Sequence, residues 1–400
     1  MQRSEKPKYA YIDCVRGYAV LAVITDHLAY EFPELPYPAH RLAVLGGHGV
    51  QLFFLASCVT LLMSCNYEKT ERGAADARAF FIRRFLRIAP AYYAAAALYY
   101  WVTPPLGGFD GLQLAAFLSF TNAWHPSLTP TVADRWVVVP GGWSISVEFA
   151  FYFLFPLIAT CVTSLGRGIL FVAFAMAAGL VCNLIGWAGW VSAIAATSLD
   201  NFLYFWFPNQ AVVFALCTVL YYLIQWLAMP GAAAVRATLA AYHNLIPFLA
   251  FAALVALAYT TLAHRIGLTP PYIPADLAVC APFMVLILCL STTTNGIFVN
   301  PAIAAMGRVS FSGYLLHFVV LKLLPNQFPS LFGVNTTGYA AIGAYIATWI
   351  VVVPVTFVVS WCTYRLIEHP MMSLAKVLTR PTAEASASGK RDSSERPAGA

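Results

Sequence analysis

The sequence predicts an all-α fold: a polytopic membrane helical bundle of about ten transmembrane helices, with N- and C-termini cytoplasmic. Three observations predict it. Of the 400 residues, 60% are hydrophobic and only 10% are charged, where soluble domains carry roughly 25% charge. Apolar runs recur at close to the ~20 residues that cross a bilayer. The Lys and Arg residues between those runs gather in alternate loops, as the positive-inside rule requires.

Taken in order, residues 1–8 form a basic cytoplasmic leader, and 9–372 a transmembrane domain. The first span is 9–30. A polar, Pro-rich loop fills 31–46, and the second span is 47–65. The charged stretch 66–87 runs into a third span ending near Val102. Segment 112–124 is apolar but short and reads as re-entrant or surface-lying. Loop 125–142 ends in Pro140-Gly141-Gly142. Further spans follow at 144–165, 168–190, 209–229, 244–263, 275–293, 308–323 and 338–363. From 381 to 400 the chain turns to Pro, Ala, Ser, Gly and charge, the composition of a disordered tail.

The same composition limits function. The net charge of +6 belongs to cytoplasmic loops and does not point to nucleic acid. Nine cysteines lie in or beside apolar runs with no CxxC, and read as small buried hydrophobes. There is no Gly-rich phosphate loop and no metal-ligand spacing. A permanently bound cofactor or metal is therefore not expected. The run behind the leader is too long and too charged for a cleavable signal core.

Ionisable groups at bilayer depth are costly and line a protein interior or a wet cavity. The first span carries Asp13, Arg16, Asp26 and His27. Eleven residues separate Arg16 from His27, about three helical turns with ~20° left over and a rise of ~16 Å. Both therefore share one face, a cation near one end and an imidazole near the other. The spacing also suits Arg16 snorkelling to headgroups and His27 hydrogen-bonded in a packed bundle. In the long core, Glu148 is the one acid set directly inside a span, Asp200 and Asp276 being the others between Trp143 and Arg365. Ser144, Glu148 and Tyr152 at i, i+4, i+8 form a polar stripe on a greasy helix. Arg84 and Arg87 stand one turn apart, and guanidinium forks match phosphate oxygens. Plain anchoring at the inner surface explains such arginines as well. His317, in Arg308-Val-Ser-Phe-Ser-Gly-Tyr-Leu-Leu-His317, has no evident partner and reads as a packing histidine. His48 is ambiguous between two glycines, and Glu368-His369-Pro370 reads as a helix exit.

Together these segments resemble the acyltransferase-3 family of integral membrane acyltransferases. The parts are Asp13-Cys-Val-Arg16-Gly with His27; Gly49-Val-Gln-Leu-Phe-Phe-Leu-Ala-Ser57; Arg84-Phe-Leu-Arg87-Ile-Ala-Pro90; Trp143-Ser-Ile-Ser-Val-Glu148 with Phe151-Tyr152 and Pro156; Gly307 to His317; and Ile367-Glu368-His-Pro370. Each is weak alone, but six in order across 11–370 are specific. Cys58 and His369 depart from the usual Gly and Lys.

The resemblance implies transfer of an acyl group, often acetyl, from cytoplasmic acyl-CoA to a hydroxyl of a sugar, polysaccharide, lipid-linked sugar or glycoside. It places the chain as a multi-pass protein of the cytoplasmic (inner) membrane. The family's Arg-x10-His maps onto Arg16 and His27, and its Arg-x-x-Arg onto Arg84 and Arg87. The expected catalytic set is His27 as general base, Arg16 and Glu148, the last orienting His27 or holding the acceptor. Arg84 and Arg87 would meet the phosphates of acyl-CoA, a donor substrate. Trp143, Ser144 and Tyr152 would meet the acceptor near the outer face. Asp26 points ~100° away from His27 along the helix and is a poor candidate to orient it. The competing class is a proton-coupled transporter or exporter of a small polar solute. Against it, the chain has no internal repeat and no matched pair of broken helices.

Overall fold

The computed structural model describes residues 9–73, 75–105, 108–130, 135–190, 196–259, 276–293 and 296–380. The leader 1–8, the tail 381–400 and the side chains of Asp200 and Asp276 lie outside the described residues. The regular elements within them are helices.

The bundle is built around α1 (Ala10–Ala29). Cys14, Val15, Ala19, Val20, Val23, Ile24 and Leu28 on it are all buried. In a bilayer, apolar contact is not gained from water, so close packing and hydrogen bonds must hold helices together. Small residues supply that packing. After α2 (Tyr37–Val44) a tight turn carries Gly46 and Gly49 onto α1, where any Cβ would strike the carbonyls of Ala22 and Ala19. The chain then continues as α3 (Gly49–Arg72). On the other side of α1, a Cβ on Gly307 would overlap the Asp13 carbonyl, and one on Gly17 would overlap Ile303.

The charged stretch after the second apolar run is mostly helix. α3 carries two extra turns beyond Cys65 and ends at Gly73, whose φ of +75° suits glycine. Asp76 caps α4 (Ala77–Val102) by accepting from the Ala79 amide at 3.2 Å. The arginines at 83, 84 and 87 therefore stand on the first turns of α4. α5 (Gly111–Leu118) has eight residues, about 12 Å of helix, and is too short to cross.

The remaining long helices are α6 (Gly142–Cys161), α7 (Leu165–Trp190), α8 (Ala196–Phe205), α9 (Phe207–Leu227), α10 (Ala233–Ala241), α11 (Leu245–Tyr259) and α12 (Asp276–Ser291). Then come α13 (Pro301–Arg308), α14 (Ser310–Leu323), α15 (Gly338–Thr363) and α16 (His369–Leu378).

The expectation of one span at 308–323 is corrected. α13 and α14 form one pair bent by 80° at Val309. Asn300 starts α13 by accepting from the Ile303 amide at 3.0 Å, with Pro301 in the first turn. The exposed amides at the start of α14 are met by Glu368, buried in the π-helical turn joining α15 to α16. It accepts from the Ser312 amide at 3.1 Å and from the Ser312 hydroxyl. A carboxylate at a helix N-terminus is favourable. Glu368 is thus a buried cap for a distant helix, not merely a helix exit.

Among the described residues, five helical stretches are long and apolar enough to cross a bilayer: 37–71, 142–161, 165–189, 202–227 and 338–378. Two bent pairs, α10–α11 at 76° and α13–α14, raise the number to seven. Against the expected ten, α1 falls outside this set because Asp13, Arg16 and Asp26 interrupt it. Twelve of its 20 residues are buried in the bundle. The chain is a multi-pass helical membrane protein.

Candidate active site

At one end of α1, three guanidinia converge. Arg16 points from α1 toward α3, where its Nη2 donates to Thr60 Oγ1 at 3.0 Å. Arg84 and Arg87 project from α4. Arg83 is turned ~100° from Arg84 and is taken up by Glu68 of α3, N to O 2.9 Å. Its role is structural, and it leaves its two neighbours to the cavity.

That cavity is a part-open cleft of about 670 Å³ between α1, α3, α4, α6 and α14. Its charged lining is Arg16, Arg84, Arg87 and Glu148, three cations and one anion. Tyr152 donates to Glu148 Oε1 at 2.5 Å. Arg84 Nε is buried and has no hydrogen-bond partner among the described residues. A buried donor left unpaired costs about 1–3 kcal/mol. Arg84 also borders a second cavity of about 1110 Å³, lined by Glu68, Lys69, Gly73, Asp76, Phe80 and Arg83 beside the α3–α4 turn.

At its far end the first cavity reaches Ser144 and Tyr314. Ser144 donates to the Tyr314 hydroxyl at 2.8 Å, and Tyr314 donates to the Gly141 carbonyl at 2.9 Å. Gly141 adopts φ +75°, and a Cβ there would lie 2.7 Å from the same hydroxyl. Both the conformation and the space demand glycine. The Tyr314 ring lies 5.9 Å from that of His317.

His27 stands beyond Tyr314. Its Nδ1 is 2.8 Å from His317 Nε2, with the two rings stacked 5.0 Å apart at 19°. Phe318 packs at 4.3 Å. His317 is fully buried, whereas the His27 side chain is 23% exposed. Asp26 Oδ2 lies 3.7 Å from His27 Nε2, and Asp26 Oδ1 is buried without a partner among the described residues.

The predicted residues thus fall into two groups. Arg16, Arg84, Arg87, Glu148, Ser144 and Tyr152 line one cavity. His27 lies outside its lining, beyond Tyr314, and Trp143 also lies outside it, against Tyr204 at 5.4 Å and Phe205 at 4.8 Å. Of the two expectations for Glu148, placement beside His27 is corrected: α6 turns that carboxylate toward the arginines. Two partners of His27 run against the sequence reading. Asp26 reaches it despite the ~100° divergence, and His317 pairs with it instead of merely packing. His317 is the one basic or acidic side chain within 309–321, the signal that already marked Glu148.

The family model for an acyltransferase domain matches residues 9–365. Acyltransferase MdmB of Streptomyces mycarofaciens is 26% identical over 333 residues, 77% of this chain and 78% of that protein. Peptidoglycan O-acetyltransferase OatA of Listeria monocytogenes is 28% identical over 156 residues, 36% of this chain and 23% of OatA. No solved structure matches the chain.

Proposed function

The chain belongs to the acyltransferase-3 family, and from that membership we propose that it moves an acyl group from acyl-CoA to a hydroxyl of a sugar or glycoside. Acetyl is the group in the simplest case, as the name of OatA suggests. The observation that carries the reading is the cavity with three guanidinia against one carboxylate, and in it a buried Arg84 Nε without a partner. Such a site suits a polyanion whose charge sits on phosphates. Acyl-CoA is a substrate of that kind.

The donor enters from the cytoplasm past the α3–α4 turn and lays its phosphates on Arg84 and Arg87, with Arg16 the next contact inward. Its extended arm runs along α1 and brings the thioester past Tyr314 to His27. His27 Nε2 takes the proton of the acceptor hydroxyl as that oxygen attacks the thioester carbon. The carbon–sulfur bond then breaks, and the thiolate leaves with the proton as free CoA thiol. Asp26, 3.7 Å from Nε2, offsets the positive charge held meanwhile on the imidazole. Ser144 and the outward-facing Trp143 lie on the acceptor's approach. Tyr152 serves by holding Glu148, so its expected contact with the acceptor becomes an indirect one.

The test is transfer of radiolabel from [1-14C]acetyl-CoA into non-protein material of membranes from the producing cells, which contain the natural acceptor. Labelling that depends on the protein, and is lost in His27→Ala at unchanged protein level, supports the reading. Labelling equal to that of membranes lacking the protein overturns it.

A further inference from the structure

We propose that His317 is a positioning residue: it holds His27 in the tautomer that leaves Nε2 bare. The proposal rests on the acyl-transfer reading above and adds a residue to it.

The proton positions follow from one fixed acceptor. His317 Nδ1 lies 3.2 Å from the Gly313 carbonyl. A carbonyl only accepts, so His317 Nδ1 carries the hydrogen and donates it. In a neutral imidazole the other nitrogen is then an acceptor. That nitrogen, His317 Nε2, is 2.8 Å from His27 Nδ1, so His27 Nδ1 must be the donor. His27 Nε2 is left with a free lone pair. The chain runs from a backbone carbonyl through two rings and ends on the atom that has to accept a proton.

The surroundings hold this arrangement in one register. His317 is fully buried, and His27 is partly open. Of the other rings beside His27, Phe318 has no accepting atom and Tyr30 stands further off, at 6.4 Å between ring centroids. Gly313 lets α14 close on α1: a Cβ there would come within 3.2 Å of Val20. One turn further along α14, His317 meets His27. Glu368 fixes the start of the same helix through Ser312. In the more familiar acid–base–nucleophile arrangement a carboxylate orients the histidine. Here a neutral imidazole does so, anchored by a carbonyl, and Asp26 lies toward the opposite nitrogen.

In the reaction, His27 Nδ1–H stays on His317 while Nε2 gains the acceptor's proton and later returns it to the leaving thiolate. His317 itself gains and loses nothing. Without it, Nδ1 has no acceptor and the ring is free to present the wrong nitrogen.

Two measurements test this. The first needs no variant. Nitrogen-15 spectra of histidine-labelled protein in bilayers, with the His27 signal identified by its loss in His27→Gln, should show Nδ1 protonated and Nε2 bare. A His27 protonated on Nε2 instead overturns the proposal. The second uses label transfer from [1-14C]acetyl-CoA in native membranes. His317→Leu should slow transfer at saturating donor about 100-fold or more, with donor half-saturation within about twofold of wild type. His317→Gln, which returns an acceptor near the lost Nε2, should recover to within about tenfold of wild type. Two results overturn the proposal: His317→Leu transferring at near the wild-type rate, or His317→Gln as impaired as His317→Leu. If His317→Leu does not fold, the spectra and the glutamine variant decide. Absence of protein-dependent labelling in wild-type membranes sinks the acyl-transfer reading instead, and leaves the spectra to judge the tautomer.

Discussion

The two ends of α1 are built differently. At the Arg16 end, guanidinia from two helices line a cavity of about 670 Å³, and one buried donor lacks a partner. At the His27 end, the imidazole is held by a second ring at 2.8 Å and flanked by aromatic side chains. The first end leaves hydrogen-bonding capacity open, which on the proposed function the donor takes up. The second holds the His27 ring through Nδ1 and leaves Asp26 Oδ1 without a partner among the described residues. On the proposed function, donor binding and proton transfer are separated by about three turns of one helix. Changes at the two ends should alter different kinetic quantities.

The largest expected effect removes the frame common to both ends. Gly307→Ala forces a methyl group into the Asp13 carbonyl and should cost about 3 kcal/mol or more. Loss of monodisperse protein on size exclusion reads it out. Gly231→Ala, with open space around it, is the matched control and should be silent. Next, Arg84→Ala or Arg87→Ala should raise donor half-saturation about 10–100-fold, the worth of one charged hydrogen bond, with little change at saturation. Arg83→Ala, whose partner is Glu68, should leave donor half-saturation within about threefold while lowering stability. If all three variants weaken the donor equally, the division of labour among these arginines is wrong. Glu368→Ala removes the cap of the helix that carries His317. It should lower stability by about 2 kcal/mol and slow transfer, both milder in Glu368→Gln. The smallest effect is Asp110→Asn. It abolishes an exposed 3.3 Å ion pair with Arg135 but keeps an oxygen for the Leu112 and Gln113 amides. Thermal unfolding should move by less than about 0.5 kcal/mol.

Much of this division is legible in the chain. The Arg16–His27 spacing places both groups on one edge of a helix because α-helical geometry is regular over three turns. The stripe of Ser144, Glu148 and Tyr152 likewise faces one cavity. What local spacing does not reveal is contact across long separations. His317 lies 290 residues from His27, and no periodicity within α14 announces the pairing. Glu368 reads as a helix exit for the same reason: Ser312, the group it caps, stands on another helix. The break at Val309 falls between Arg308 and Ser310 with no proline to mark it, although Asn300-Pro301 carries an ordinary helix-start pattern. The sequence puts Glu148 on a polar face near the outer end with His27, whereas its carboxylate lines the cavity with Arg16, Arg84 and Arg87.

The most direct test of the two-ended helix is equilibrium binding of acetyl-CoA measured beside turnover in one variant, His27→Ala. The account predicts donor affinity within about twofold of wild type and turnover lower by about 1,000-fold or more. Donor affinity falling together with turnover, or turnover persisting, would contradict it.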